Sequence, residues 1–413
     1  MTGLDGRRVY LDWNATAPLR PEARAAMLEA MDAVGNPSSV HAEGRAARAI
    51  VEKARGQVAA LVGCEPQEII FTSGATEANT LAIESQRGRL PYLYQETGHP
   101  SLVTAPREMI GDQFWDGGAV APSAVATTPC AAFAEVAAKV LVPGRTTLFT
   151  VDGKEHLEQA RFICLLSAAC GESGVLDDHR GIEGLEGREI EHAEFGRYRL
   201  APLLYVDATQ TIGRIADTRP GLASLGCSAH KLGGPKGVGA FVERHLRLGG
   251  PALLLGGGQE LGRRSGTENV VGIAGFGAAA EAARRDLEGG VWEGVEKLRN
   301  ILEETLAAHA SDTIFIGQGA PRLPNTSCFA VPGWKGETQV MQMDLAGFAV
   351  SAGSACSSGK VGPSRVLRAM GFDEVTASSA LRVSLGPTTT EAEVRAFADT
   401  WLAAHRRWKT RAA

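Results

Sequence analysis

Lys231 stands in Ser228-Ala229-His230-Lys231, directly before the small-residue run Gly233-Gly234-Pro235-Lys236-Gly237. A lysine in such a loop between β-like runs can attack a carbonyl carbon once its amine is deprotonated, although most lysines are simply solvated. Asp207 closes the apolar run 203–206, and Gln210 follows three residues later. A carboxylate at that edge of an α/β sheet either meets a ligand or caps a helix. The turn Thr72-Ser73-Gly74-Ala75-Thr76 lies between a β-like run and a helical stretch. Free backbone N–H groups and the helix dipole favour an anion there, and the same turn also suits a plain N-cap. Cys356 sits in the small-residue segment 351–360, which makes poor core, with Lys360 nearby to favour a thiolate. Arg382 is an isolated charge in the alternating run 380–386. It suits either a surface ion pair or a two-point clamp on a carboxylate.

A carboxylate, an anion cradle and a lysine at strand ends of one sheet are the parts a pyridoxal phosphate site requires. The lysine makes a Schiff base, the aspartate pairs with the pyridinium nitrogen, and the helix start takes the phosphate. Two other nucleotide motifs fail on spacing. Gly353 to Gly359 encloses five residues where a P-loop has four, and Val361 stands where Ser or Thr belongs. No GxGxxG follows a strand.

The elements that must position these residues follow from periodicity. A helix is expected from Pro21 to Ala33, stopping at Gly35-Asn36-Pro37, and another from Glu43 to Val62, with Gly63 behind it. The runs 68–72, 203–206 and 237–242 read as strands alternating with helices, which predicts an α/β fold with a mostly parallel, helix-covered sheet. Beyond about residue 266, helices at 279–287 and 291–309 and short strands at 327–331 and 348–350 predict a smaller α+β domain. The expected division is 21–265 for the large domain and 266–413 for the small one, joined by the N-terminal segment 1–20. The stretch 102–200 carries little pattern, with loop-like runs at 117–118 and 181–187.

Composition limits the function classes. The 413 residues are 44% hydrophobic and 22% charged with net charge −5, the values of a soluble globular chain. No basic block suggests nucleic acid, and the apolar stretch 270–283 is too short and glycine-broken to span a membrane. The N-terminus lacks an apolar leader, so a cytoplasmic location is expected. Seven cysteines, at 64, 130, 164, 170, 227, 328 and 356, form no CxxC pair, which argues against a disulfide framework or a structural zinc site.

As a set the motifs resemble the cysteine desulfurases, members of the class V aminotransferase group of fold-type-I pyridoxal phosphate enzymes. The matching pieces run in order over nearly the whole chain. They include YLDWNATAPL (10–19), IIFTSGATEAN (69–79), GHPSL (98–102), VDATQTIG (206–213), SAHKLGGPKGVGA (228–240), RRSGTEN (263–269), SAGSACSSGKVGPSRVLRAMG (351–371) and LRVSLGPTTT (381–390). The resemblance implies a seven-stranded-type sheet in the large domain, pyridoxal 5'-phosphate as cofactor and no metal. It makes Lys231 the Schiff-base lysine and proton carrier, His99 the ring-stacking histidine, Asp207 the ring-nitrogen partner and Gln210 the donor to the phenolic oxygen. It makes Ala75, Thr76, Ser228 and His230 the phosphate cradle, with Thr267 reaching the cofactor of the other subunit of a homodimer. Arg382 becomes the clamp on the substrate carboxylate, and Cys356 the nucleophile.

The implied reaction converts L-cysteine to L-alanine. The Cys356 thiolate takes the substrate sulfur as a persulfide and delivers it to an acceptor protein, a scaffold or carrier for iron–sulfur cluster assembly or thio-modification. The departure is Cys170-Gly171-Glu172-Ser173-Gly174-Val175, which puts Gly171 where the family offers an asparagine to the phenolic oxygen. Two alternatives stay open at this point: another class V activity (selenocysteine lyase or aminotransferase), or a low-activity relative that binds a partner.

Overall fold

The computed structural model describes residues 3–4, 6–85, 92–94, 100–102, 158–176, 189–192, 196–216, 224–244, 252–353 and 362–412. Side chains are not described at 92–94, 158–166, 189–192, 196–202 and 412. After β1 (Val9–Tyr10) come two helices, α1 (Pro21–Met31) and α2 (Ala42–Val62). α1 starts on a proline, which suits the first helical position because no N–H is needed there. The imidazole of His41 caps α2 by accepting from the Gly44 N–H, and Gly63 ends it in the left-handed conformation at φ 71°. Both helices lie where the apolar spacing places them.

The large sheet contains β2 (Ile69–Thr72), β3 (Tyr92–Tyr94), β4 (Glu158–Ser167), β5 (Glu189–His192), β6 (Gly196–Asp207), β7 (Ser224–Ser228) and β8 (Gly239–Val242). Its order is β2-β8-β7-β6-β4-β3, with β5 joined antiparallel to the start of β6. β3, β4, β6 and β7 pair in parallel; β8 runs antiparallel to both β7 and β2. The C-terminal ends of β2, β7 and β6 therefore share one edge of the sheet. α3 (Ala75–Glu84) starts immediately after β2 at that edge.

β6 is longer than the apolar run 203–206 suggests. Its first residues carry Arg197, Arg199 and Pro202, a composition that hides a strand, yet the backbone pairs with β5 and β4 from its start. β4 and β5 also fall in the stretch that shows little pattern.

The remaining elements are α4 (Val270–Glu288), α5 (Val291–His309), β9 (Ile314–Phe315), β10 (Thr326–Ala330), α6 (Gly336–Leu345), β11 (Phe348–Ala349), β12 (Ser351–Ala352), α7 (Arg365–Ala369), α8 (Glu374–Ser378), β13 (Ala380–Ser384) and α9 (Glu391–Ala412). β12-β13-β10-β9 form an antiparallel sheet, and β11 pairs in parallel with β1. α4 begins nine residues before the expected 279, because its glycines do not break it. A Cβ at Gly275 would come within 2.6 Å of Met27, and one at Gly277 within 2.6 Å of Ala54. Those glycines give up helix propensity to let α1 and α2 pack against the α4 backbone.

Two main apolar clusters result. The first joins Val51, Val58, Phe71, Leu204, Val238, Ile273 and Phe276 beneath the large sheet. The second joins Val9, Leu11, Trp292, Phe329, Trp334, Phe348 and Trp401. The N-terminal strand thus packs with the C-terminal half, while α4 packs with the large sheet. No helix among the described residues is long and apolar enough to cross a membrane.

Candidate active site

Asp207 ends β6, 6% exposed, and a side-chain relay fixes its carboxylate. Asn79 of α3 donates from Nδ2 to Asp207 Oδ2 at 3.0 Å, and the Thr209 N–H donates to Oδ1 at 3.0 Å. The Tyr205 hydroxyl donates to Asn79 Oδ1 at 2.6 Å, and its ring stacks on Phe241 at 5.7 Å between centroids. Burial, with Asp207 close by, keeps the Tyr205 phenol protonated well above its ordinary range. A phenol that stays protonated is a permanent donor, so Asn79 is held in one orientation.

Lys231 lies in the short 3-10 turn that follows β7, at the same sheet edge. Its Nζ donates to the carbonyl oxygens of Asn14 at 2.6 Å and Ala15 at 3.0 Å. The turn is braced from below by Arg20, whose Nε donates to the Leu232 carbonyl at 2.8 Å while its Nη2 pairs with Asp286 at 2.5 Å. His230 Nδ1 lies 3.1 Å from Thr16 Oγ1. Burial, then the positive charges of Lys231, Lys236 and Arg214, pull the His230 pKa down to about 4. The imidazole is neutral at pH 7.

The start of α3 lies at the same sheet edge. α3 has Gly74 at its N-cap, which supplies no side chain to its first turn, and among the described residues the N–H groups at Ala75 and Thr76 have no side-chain acceptor. A Cβ added to Gly74 would stand 3.6 Å from Ser228 Oγ, so that hydroxyl faces the helix start. Glu77 then ties this turn to the following segment, accepting from the Ser73 N–H at 2.8 Å and from Arg264 Nε at 2.9 Å. Thr267 lies exposed on that segment.

Arg382 reaches the site from β13 and is 3% exposed. Its Nη2 pairs with Asp12 Oδ1 at 2.8 Å, and its Nη1 donates to the Gly171 carbonyl at 2.9 Å. Ser351 donates to the other Asp12 oxygen at 2.8 Å. The guanidinium is thus neither a surface charge nor open on all sides: Asp12 orients it. His99 and Cys356 lie outside the described residues. Of the other cysteines, burial raises Cys64 and Cys170 to about 11, Cys227 to about 12 and Cys328 well above its ordinary value. These four are thiols at neutral pH, poor nucleophiles.

Three contributors escape the sequence reading. Asn14, 1% exposed, gathers the site: its Nδ2 donates to Thr326 Oγ1 at 2.9 Å and to the Gly171 carbonyl at 3.2 Å. Its Oδ1 accepts from Arg214 at 2.6 Å and Asn325 at 3.1 Å. Arg214 and the Asn79–Tyr205 pair are the others. Asn14 and Asn79 lie within recognisable motifs, yet only the fold shows what their side chains hold.

The residues fit pyridoxal phosphate on their donor chemistry. An uncapped helix start with a facing hydroxyl suits a phosphate, and a fixed carboxylate suits a ring N–H. Thr209 Oγ1 is buried with no hydrogen-bond partner among the described residues, beside Asp207 and Gln210. A polar group left open at that point suits a ligand oxygen.

Comparison with known proteins agrees. The aminotransferase class-V family model matches residues 9–109 and 187–397. A cysteine desulfurase of Cereibacter sphaeroides is 38% identical over 94% of this chain and 93% of its own, and one of Klebsiella pneumoniae 36% over 94% and 90%. The X-ray structure of a NifS-like protein from Rickettsia africae superposes with TM-score 0.76 at 25% identity, over 97% of this chain and all of that one. Family model, relatives and fold converge: the chain belongs to the aminotransferase class-V family and, within it, to the cysteine desulfurase group.

Proposed function

We propose that this protein is a pyridoxal 5'-phosphate-dependent cysteine desulfurase, converting L-cysteine to L-alanine with the sulfur held on Cys356 as a persulfide. The observation that carries the reading is convergence. The Lys231 amine, the oriented Asp207 carboxylate and the open start of α3 lie at one sheet edge, and Asn14 links them to the small sheet that carries Arg382. When bound, the cofactor supplies an electron sink that lets the Cα–H of an amino acid ionise.

Each residue then has a physical task. Lys231 would hold the cofactor covalently, and its amine would carry the Cα proton of the substrate. Asp207, fixed by Asn79, keeps a proton on the ring nitrogen. Ala75, Thr76, Ser228 and neutral His230 bond the phosphate, and Gln210 the phenolic oxygen. His99 is assigned the face of the ring. Arg382, already aimed by Asp12, binds the substrate carboxylate as a two-point donor. Cys356 attacks the substrate sulfur as a thiolate: its S–S bond forms as the substrate C–S bond breaks, and the acceptor protein later takes the terminal sulfur.

A cytoplasmic setting is supported by the four described cysteines, all unbridged as in a reducing compartment. The acceptor belongs to iron–sulfur assembly or thio-modification. A homodimer is supported by Leu253, Leu254, Leu255 and Leu261, four leucines exposed on the segment that leads to Thr267. That face suits a second copy, whose cofactor Thr267 would then reach.

The test is alanine release from L-cysteine with a thiol reductant as sulfur acceptor. Wild type is expected to turn over, Cys356→Ser to lose turnover, and Lys231→Ala to lose both turnover and the visible absorbance of the loaded protein. A Cys356→Ser variant that keeps wild-type turnover would reject Cys356 as the sulfur carrier and restore the aminotransferase reading.

A further inference from the structure

Arg214 is 3% exposed, and every acceptor around it is neutral. Its Nη1 donates to Asn14 Oδ1 at 2.6 Å and Gln210 Oε1 at 3.0 Å; its Nη2 donates to the Lys231 carbonyl at 2.9 Å and the Trp13 carbonyl at 3.3 Å. No carboxylate pairs with it among the described residues. Three other arginines near the site are answered differently. Arg382 is paired with Asp12, Arg20 with Asp286, and Arg264 with Glu77. Burial, then the like charge of Arg382, draws the Arg214 guanidinium down to about 9. A buried cation facing only dipoles is costly unless something else brings negative charge.

Gln210 shows where that charge would arrive. Its Oε1 is engaged by Arg214, so the amide has one orientation, with Nε2 as the outward donor. Nε2 donates to the Asn14 carbonyl at 3.2 Å, the same oxygen that accepts Lys231 Nζ at 2.6 Å. The amide also lies over Gly171: a Cβ there would stand 3.0 Å from Nε2 and 3.4 Å from Cγ. An asparagine at 171 would have to displace the glutamine, whereas glycine leaves Gln210 the space.

We propose that Arg214 is a positioning residue that locks the Gln210 amide over Gly171 and biases the proton balance at Lys231 Nζ. The inference rests on the cofactor reading above. The titratable and charged groups around this cluster among the described residues are neutral His230 and Lys236 beside Lys231, the Arg20–Asp286 and Arg382–Asp12 pairs, and Asp207 of β6. Among the described residues, Arg214 adds a buried positive charge that no carboxylate pairs. A nearby cation makes a proton on the lysine-linked nitrogen easier to lose, and it favours an anionic phenolic oxygen bonded to Gln210.

The experiment is a pH titration of the visible absorbance of the cofactor-loaded protein for wild type, Arg214→Met, Arg214→Lys and Gln210→Leu. Arg214→Met is expected to raise the protonation midpoint by about one pH unit. Gln210→Leu should shift it the same way by less, and Arg214→Lys should stay near wild type. Gly171→Asn, by pushing the amide aside, should reproduce the Gln210→Leu shift. An unchanged midpoint in Arg214→Met, with only a lower melting temperature, would make the arginine a structural strut and overturn the proposal. Should that variant not fold, Gln210→Leu decides by the same criterion. Absence of the visible band in wild type would remove the cofactor reading itself and this inference with it, which separates the two failures.

Discussion

At the residue scale the site is a set of fixed donors around few acceptors. Lys231, Asp207, Gln210 and Arg382 are legible in sequence because each follows a strand run or lies in a short motif. Asn14, Arg214 and Asn79 are not, because their roles come from bonds between distant segments: Asn14 and Thr326 are 312 residues apart, Asn14 and Arg214 200. No local pattern encodes such a meeting. The Tyr205–Asn79–Asp207 relay makes a direct prediction. Tyr205→Phe leaves Asn79 Oδ1 buried without its donor and should cost about 1–3 kcal/mol, measured by urea unfolding. Glu172 makes another. Burial raises its carboxyl to about 7 from an ordinary 4.5, against the opposing pull of Ser364, Arg382 and Arg365. The folded chain therefore holds a proton that the unfolded chain has lost between about pH 4.5 and 7. Its contribution to stability falls as pH rises through that window. Glu172→Gln should accordingly gain stability relative to wild type as pH rises from 4.5 to 7, and equal offsets at both ends would contradict the assignment.

The elements that hold these residues depend on two tight places. Glu260 and Leu261 both have left-handed backbone, at φ 49° and 58°, in the turn before Arg263. Arg55 holds that turn with two bonds to Glu260, at 2.9 and 2.8 Å, while Glu260 Oε2 also accepts from the Phe71 N–H at 2.9 Å. The buried pair thus couples α2 and β2 to the segment carrying Arg264 and Thr267. Removing one partner strands the other charge, so Glu260→Ala is expected to cost about 3–5 kcal/mol, seen as a large drop in melting temperature; a drop within a degree would show that the turn is held elsewhere. The second place is Gly386, where a Cβ would fall inside the Trp13 indole. Helices α1 and α2, the strands β2 and β8 and the second half of β6 were readable from the sequence pattern, whereas β7 was not among the expected strands. The start of α4 was not, since its glycines serve packing against α1 and α2, and neither was the first half of β6, whose polar residues carry no strand signature.

At the scale of the molecule, the two main clusters suggest how the chain divides. α4 packs with the large sheet and α5 with the small one, so we propose that the division falls between them, near Gly289-Gly290, later than the expected 265. The N-terminal strand belongs with the small sheet, and Asn14 follows it directly into the site. The exposed leucines 253–255 and 261 make the dimer testable: Leu255→Asp with Leu261→Asp should shift sedimentation toward monomer, and a wild-type protein that is monomeric with cofactor bound would reject the partner contribution of Thr267. The central claim is that the site moves sulfur from L-cysteine onto Cys356. The most direct measurement is the intact mass of the loaded protein after brief exposure to L-cysteine, followed by peptide mapping. The account predicts one added sulfur atom, removable by reductant and located on Cys356; an unchanged mass, or sulfur only on another cysteine, would contradict it.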